Sequence, residues 1–248
     1  MPLSTITTAN NIINQVAAEI GLEPSTDPYA SLDPAFIQMR YLLNTCGQEL
    51  TQSYKWELLN RVANIVTAEG DTGDYPLPDD FYYIINQTGW ERSENVPLLG
   101  PLSAQDWQYL LGRDLVSQTI YASFRIDNGM FKLFPQPPPN GLDIYYEYIS
   151  TNWVSNGDLP TTYTDEVTVG TQIPLFDKTL ITRYLKVKIL EAKGFDSTKA
   201  QDDFYQTFSF LTGLDKGAEV LNVGGGGRSY PYLDGYRNVP DTGYGGSF

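Results

Sequence analysis

Two adjacent carboxylate pairs, Asp79–Asp80 and Asp202–Asp203, have the residue types for acid–base hydrolysis of a glycosidic bond. Their spacing argues against it. Neighbours on a strand point to opposite faces, so Asp79 and Asp80 would not share a substrate. Asp202 and Asp203 fall early in a helix, where acids favour the macrodipole. Glu69, Asp71, Asp74, Asp79 and Asp80 place five acids within twelve residues. Oxygen-rich loops bind calcium, but the spacing is not that of an EF-hand. A solvated acidic hairpin is the favoured reading, with these five facing a channel as the functional one. The glycine run 224–227 lacks the lysine and following helix of a phosphate loop. Histidine is absent and cysteine occurs once, which removes Ser–His and Cys–His nucleophile pairs, imidazole metal sites and internal disulfides. We expect no catalytic residue, metal or cofactor.

Charge points the same way. The 248 residues carry 30 acids and 16 bases, a net −14. Affinity for nucleic acid comes mainly from Lys and Arg, so this surface should not grip phosphates. It suits a surface that DNA passes without sticking. The acidity is uneven: residues 1–150 carry a net −11, residues 151–223 a net −3, and the last 25 residues are neutral. Only 19% of residues are charged, while 18 are tyrosine, a composition favoured at protein interfaces. Bases concentrate at Lys178, Arg183, Lys186, Lys188 and Lys193. They read equally as a solvated helix face or as a face that meets an acidic neighbour. No apolar run reaches the length of a membrane span, and the opening MPLSTITTANNIINQ predicts no secretion signal.

The elements that must hold these residues follow from hydrophobic spacing. Ile12, Ile13, Val16, Ala17 and Ile20 predict an opening helix, capped by Thr7 or Thr8 and ended by Gly21. Asp33-Pro34 predicts the N-terminus of a second helix with Phe36, Met39, Leu42, Leu43, Cys46 and Leu50 on one face. Cys46 reads as a core residue there. The middle of the chain is β-rich. Strands are expected at 59–67, 81–85 and 142–149, and a short helix at 102–111 capped by Ser103. The arms 121–126 and 130–134 flank Asp127-Asn128-Gly129, a hairpin signature. Helices return with Asp177 capping 178–193, Gly194 at its C′ position, and a last helix capped by Ser197 with Phe204, Phe208 and Leu211 inward.

The expected fold is therefore α+β: a helical bundle from the N- and C-terminal helices, with an inserted β-rich, sandwich- or barrel-like domain and an extended C-terminal arm. Its segments are 1–57 (first helices), 58–173 (β-rich domain), 174–220 (last helices) and 221–248 (arm). Glycine makes up 8 of the last 25 residues, too many for regular structure on propensity. Arg228, Tyr230, Tyr232, Tyr236, Arg237, Tyr244 and Phe248 recur there. Ordinary disordered tails are poor in aromatics, so this segment reads as a docking arm for another chain.

The order of several segments resembles one family. They are INQVAAEIGL, FIQMRYLLNTCGQELTQSYKWELL, YPLPDDFYYI, WQYLLG, YASFRIDNGMFKLFPQPPPNGLDIYYEYISTNWV and PLFDKTLITRYLKVKILEAKGFD. Together they are similar to the head–tail connector (adaptor) proteins of short-tailed bacteriophages, the group that includes tail tubular protein A. The resemblance implies a structural virion protein and not an enzyme. It implies a homo-oligomeric ring, typically dodecameric, under the portal protein, with the tail nozzle or tail proteins on its other side. Double-stranded DNA would pass through the ring unread, no membrane would be involved, and the C-terminal segment would dock on the portal. The chain would lie at the head–tail junction of the virion, and in the host cytoplasm during assembly. Two rival readings are a carbohydrate-binding virion module, with Trp90, Trp107 or Trp153 stacking on sugars, and a wall-degrading virion protein. The tryptophans sit in apolar contexts, which favours core packing.

Overall fold

A computed structural model describes residues 7–93, 95–112, 123–157 and 161–215. The chain divides into Met1–Asp215 and Lys216–Phe248. The second unit, with the expected arm and its residues Arg228 to Phe248, lies outside the described residues.

Helix α1 (Ala9–Glu19) forms where the apolar spacing predicts it and buries Ile12, Ile13, Val16 and Ala17. Its start differs from expectation. Thr8 stands at the N-cap but makes no side-chain cap bond. The N–H groups of Ala9 and Asn10 instead donate to the carbonyls of Gln172 and Gly170, both at 2.9 Å, so a distant turn satisfies the free helix end. Helix α2 (Pro34–Ser53) starts as expected, with Asp33 accepting from the Ala35 N–H at 2.8 Å. A 3-10 turn, Glu57–Leu59, leads into strand β1 (Asn60–Val66).

The strands β2 (Asp74–Pro76), β3 (Phe81–Ile84), β4 (Trp90–Glu91) and β5 (Val96–Pro97) follow. Helix α3 (Ala104–Gly112) is capped by Ser103, whose hydroxyl oxygen accepts from the Asp106 N–H at 3.1 Å. The predicted hairpin is β6 (Ser123–Asp127) and β7 (Met130–Phe134), paired antiparallel. Asn128 and Gly129 take φ of 51° and 73°, the left-handed pair that a tight hairpin requires. Strands β8 (Asp143–Ser150), β9 (Val154–Ser155), β10 (Tyr163–Thr164) and β11 (Ile173–Pro174) complete the β section. Helices α4 (Lys178–Lys193) and α5 (Thr198–Asp215) close the described chain. Asp177 caps α4, and Gly194 ends it at φ 72°. Ser197 stands at the N-cap of α5 as expected, its carbonyl accepting from the Gln201 N–H at 2.8 Å, but its hydroxyl does not cap the helix. Asp196, not Ser197, accepts from the Thr198 N–H at 3.0 Å, while the Ser197 hydroxyl accepts from the Gln201 side chain.

The fold is α+β, with three antiparallel sheets among the described residues. Strand β8 is the spine of the largest. It pairs with β1 along its length on one side and with β4 and β3 on the other. A second sheet runs β2-β7-β6 and a third β10-β9-β11. The described residues form two hydrophobic cores. One joins α1, α2, α4 and α5 around Trp56, Trp153 and Phe176. The other packs the β2-β7-β6 sheet on the β8 sheet through Phe124, Phe131, Leu133, Ile144, Tyr146 and Tyr148. β8 serves both, because Ile149 at its end enters the helical core while Ile144, Tyr146 and Tyr148 lie in the β core.

Candidate functional site

The five clustered acids do not act as one group. Residues 69–74 are not the expected hairpin: they carry the chain from β1, paired with β8, to β2, paired with β7 in another sheet, and Thr67 at their base bonds Leu142 beside the start of β8. Asp80 bonds Tyr148 and Ser150 at the strand's far end, at 2.8 and 2.6 Å. Seven residue steps along β8, from Asp143 to Ser150, separate those ends, about 23 Å. Both carboxylate oxygens of Asp80 thus accept hydrogen bonds within the chain. Asp71 accepts from the Ala68 N–H and the Tyr75 hydroxyl, both at 2.8 Å, and these bonds hold its carboxyl below the usual range. Asp74 accepts from Gln136 at 3.2 Å. Glu69 and Asp79 are exposed. Asp79 and Asp80 line an open cleft of about 430 Å³ with Asp165, Thr151 and Asn152. Among the described residues, no three acids, cysteines or histidines are placed to hold a metal.

In the second carboxylate pair, Asp203 is tied within the chain and Asp202 is exposed. Asp203 pairs with Lys199 one turn earlier, at 2.8 Å. Hydrogen bonding by Lys199 lowers the Asp203 pKa. A general acid for hydrolysis would need the opposite shift.

The basic helix is not simply a solvated face. Three of its five bases turn inward and fasten α4 to its neighbours. Lys186 pairs with Glu19 of α1 at 3.0 Å, and Lys188 with Glu49 of α2 at 2.7 Å. Arg183 donates to the Asp203 carbonyl of α5 at 2.9 Å and to the Thr207 hydroxyl. The Tyr184 hydroxyl joins Lys188 on Glu49. Partial burial raises the pKa of Glu49, but the Lys188 and Tyr184 hydrogen bonds and the Lys188 charge outweigh it and hold the carboxyl below its ordinary value. Lys178 and Lys193 remain exposed.

Of the tryptophans considered for sugar stacking, Trp107 and Trp153 are buried. Trp107 packs edge-on to Phe134, and Trp153 stacks on Phe176 with its indole N–H on the Asp165 carbonyl. Trp90 is the correction: it is 44% exposed. Cys46 is buried as expected, and burial pushes its thiol pKa far up, which makes it unreactive.

One surface feature went unseen in the sequence. Helix α4 floors a groove of about 490 Å³ between α1 and α5. Its residues recur every fourth position at Lys178, Thr182, Lys186 and Leu190, but nothing in that spacing says that α1 and α5 leave the strip uncovered.

A family model described as SU10 adaptor protein matches residues 7–227. No curated protein matches the chain.

Proposed function

The chain belongs to the SU10 adaptor protein family, and from that premise we propose that it is a structural protein of a bacteriophage virion, the adaptor between head and tail. The family match carries this reading, since residues 7–227 take in both cores and every described element from α1 to α5. Its action is assembly, with no bond made or broken. Copies pack side by side into a ring, of twelve subunits on the family resemblance, with the portal protein on one side and tail proteins on the other. Double-stranded DNA passes through the ring without being read. A net charge of −14 supports this, because like charge keeps the phosphate backbone off the wall. Glu69, Asp71, Asp74, Asp79 and Asp80 are the acids proposed to face that channel, with Asp71 near the start of β8 and Asp80 at its far end. The site of action is the head–tail junction, reached after assembly in the host cytoplasm. No helix among the described residues is long and apolar enough to cross a membrane.

Residues 224–248 are the proposed portal-docking segment, with Arg228, Tyr230, Tyr232, Tyr236, Arg237, Tyr244 and Phe248 as its contacts. Ordering such a segment costs about 1 kcal/mol or more per residue, so buried Tyr and Phe rings must offset it. Deleting residues 224–248 is expected to leave a folded protein that no longer binds portal, measured by circular dichroism and by native mass of the mixture. A truncation that unfolds, or that binds portal normally, overturns the docking assignment. An intact chain that forms no multi-copy assembly with portal overturns the adaptor reading itself.

A further inference from the structure

Strand β1 is the longest free edge among the described residues. It ends the β8 sheet and meets β8 in an unbroken register from Asn60↔Ile149 to Val66↔Asp143. No described strand pairs with its other side. The opposite edge of that sheet, β5, is two residues long and holds Pro97. In the second sheet, β2 is three residues long and ends on Pro76, and β6 is bridged at Ser123 by Leu99. Exposed edges are usually blunted by shortness, proline, lysine or a bulge, because they invite pairing with another chain. β1 has no proline, lysine or bulge, and its one charge, Arg61, lies near its start.

The register fixes which main-chain groups are free. Asp143 and Glu147 of β8 turn their carbonyls away from β1, to the N–H groups of Arg92 and Ile85, both at 2.9 Å. Their partners on β1, Val66 and Val62, are therefore in the non-bonded pairs of the ladder. So the N–H and C=O groups of Val62, Asn64 and Val66 point out from the sheet edge, while those of Arg61, Ala63 and Ile65 bond β8. The side chains alternate in step. Ala63 and Ile65 pack in the β core. Val62 and Val66 are 60% and 64% exposed, with Asn64 exposed between them.

We infer that β1 pairs with β1 of a second copy of this chain, antiparallel and centred on Asn64. The strand is self-complementary in that register. Val62 of one copy meets Val66 of the other, twice, and Asn64 meets Asn64. Pairs of β-branched side chains stabilise such a ladder. The outward-pointing residues all fall in bonded pairs, which gives about six main-chain hydrogen bonds. Charge agrees with a second copy as the occupant. The Arg61 guanidinium donates to the Leu58 and Asn60 carbonyls and has no ion pair among the described residues. It comes opposite Thr67 of the second copy, two positions before the exposed Glu69. Bringing base to acid twice offsets the repulsion between two chains of net −14. A two-fold pair closes on itself and cannot be repeated round a cyclic ring. The pairing therefore belongs to the chain before ring assembly, where it shields an edge open to other strands. It goes beyond the adaptor reading, and the failure of either leaves the other standing.

The test is self-association of the purified full chain, followed by sedimentation equilibrium and amide exchange. A dimer is expected at millimolar concentration that separates on dilution, since one strand pair is a small interface. In the dimer the amides of Val62, Asn64 and Val66 should gain protection. Those of Ala63 and Ile65, bonded to β8, should be protected at every concentration. Asn64→Pro removes an N–H that β8 does not use, a position where an edge strand tolerates proline, and should abolish the dimer. A charge swap checks the register. Val62→Lys with Val66→Lys should weaken the dimer about tenfold or more, while Val62→Lys with Val66→Glu should preserve it, because each lysine then faces a glutamate. Both valines are exposed, so both double variants should fold. A chain that stays monomeric at millimolar concentration overturns the proposal, as do equal dimers from the two double variants or exchange at Val62, Asn64 and Val66 that ignores concentration. So does self-association that survives Asn64→Pro, or assembly of the free chain through β1 beyond two copies, because either places the contact elsewhere or gives it another symmetry.

Discussion

In the helical core, the Trp153 indole occupies the space where a Cβ on Gly47 of α2 would be, 2.1 Å from the nearest ring atom. The segments that meet there are far apart in sequence: Asn44 bonds Val167 across 123 residues, and Glu49 bonds Lys188 across 139. In the β core, Phe124, Phe131 and Tyr146 stack ring on ring, with centroids 4.7 and 4.9 Å apart, and they come from three consecutive strands. The helical core exists only once both ends of the chain have arrived. The β core lies within residues 60–150, yet only its β6-β7 hairpin is local: β1 meets β8 across 77 to 89 residues. Local contacts form at lower entropic cost than distant ones, so the β6-β7 hairpin is the part able to form early, while β8 ties the two cores together. The polar contacts differ as well. Around the helices, lysines and arginine on α4 reach three other helices, whereas in the β core the described ion pairs join Asp127 to Arg125 and Lys132 within one hairpin.

The largest test of this contrast is Trp153→Ala. Removing a fully buried indole should cost about 4 kcal/mol, read from denaturant unfolding. Amide exchange should then show protection lost first in α1, α2 and α4 and retained longest in β6, β7 and β8. Equal loss in both would mean that the two cores behave as one. Gly47→Ala comes next. The indole is rigid and enclosed, so it cannot yield to the added methyl group, and overpacking should cost about 3 kcal/mol. A neutral result would show that α2 can shift on its neighbours.

The smallest effect is a pH dependence. The carboxyl of Glu49 has a lowered pKa in the folded chain, beneath an ordinary value of 4.5. Its contribution to stability is therefore present above that ordinary value and is lost as pH falls through the folded pKa. Between neutral and acid pH, Glu49→Gln should flatten the decline in unfolding midpoint seen for the unsubstituted chain. An identical decline in both would remove Glu49 from the account of how α2 is fastened to α4.

What could be read in advance and what could not divide along the same line. Asp33 and Asp177 as caps, Gly194 as a helix end, and Asn128-Gly129 as a hairpin turn all act within a few residues of themselves. Strands β4, β5, β9, β10 and β11 are two residues each, too short for any alternation to register. The Thr8 cap failed because Gln172 and Gly170, from a turn far along the chain, took its place.

By itself the sequence determined the identity of the longer elements, the α+β class and the exclusion of histidine-based chemistry and internal disulfides, because helix spacing, caps and turn residues are local physics and composition is a count. The tertiary structure decided which helices meet, that Gly47 must stay bare for Trp153, that Asp71 and Asp80 part to opposite ends of β8, and that the bases of α4 turn inward around an open groove. Each of those depends on a partner tens to more than a hundred residues away, and a side chain carries no mark of the distant group it will face.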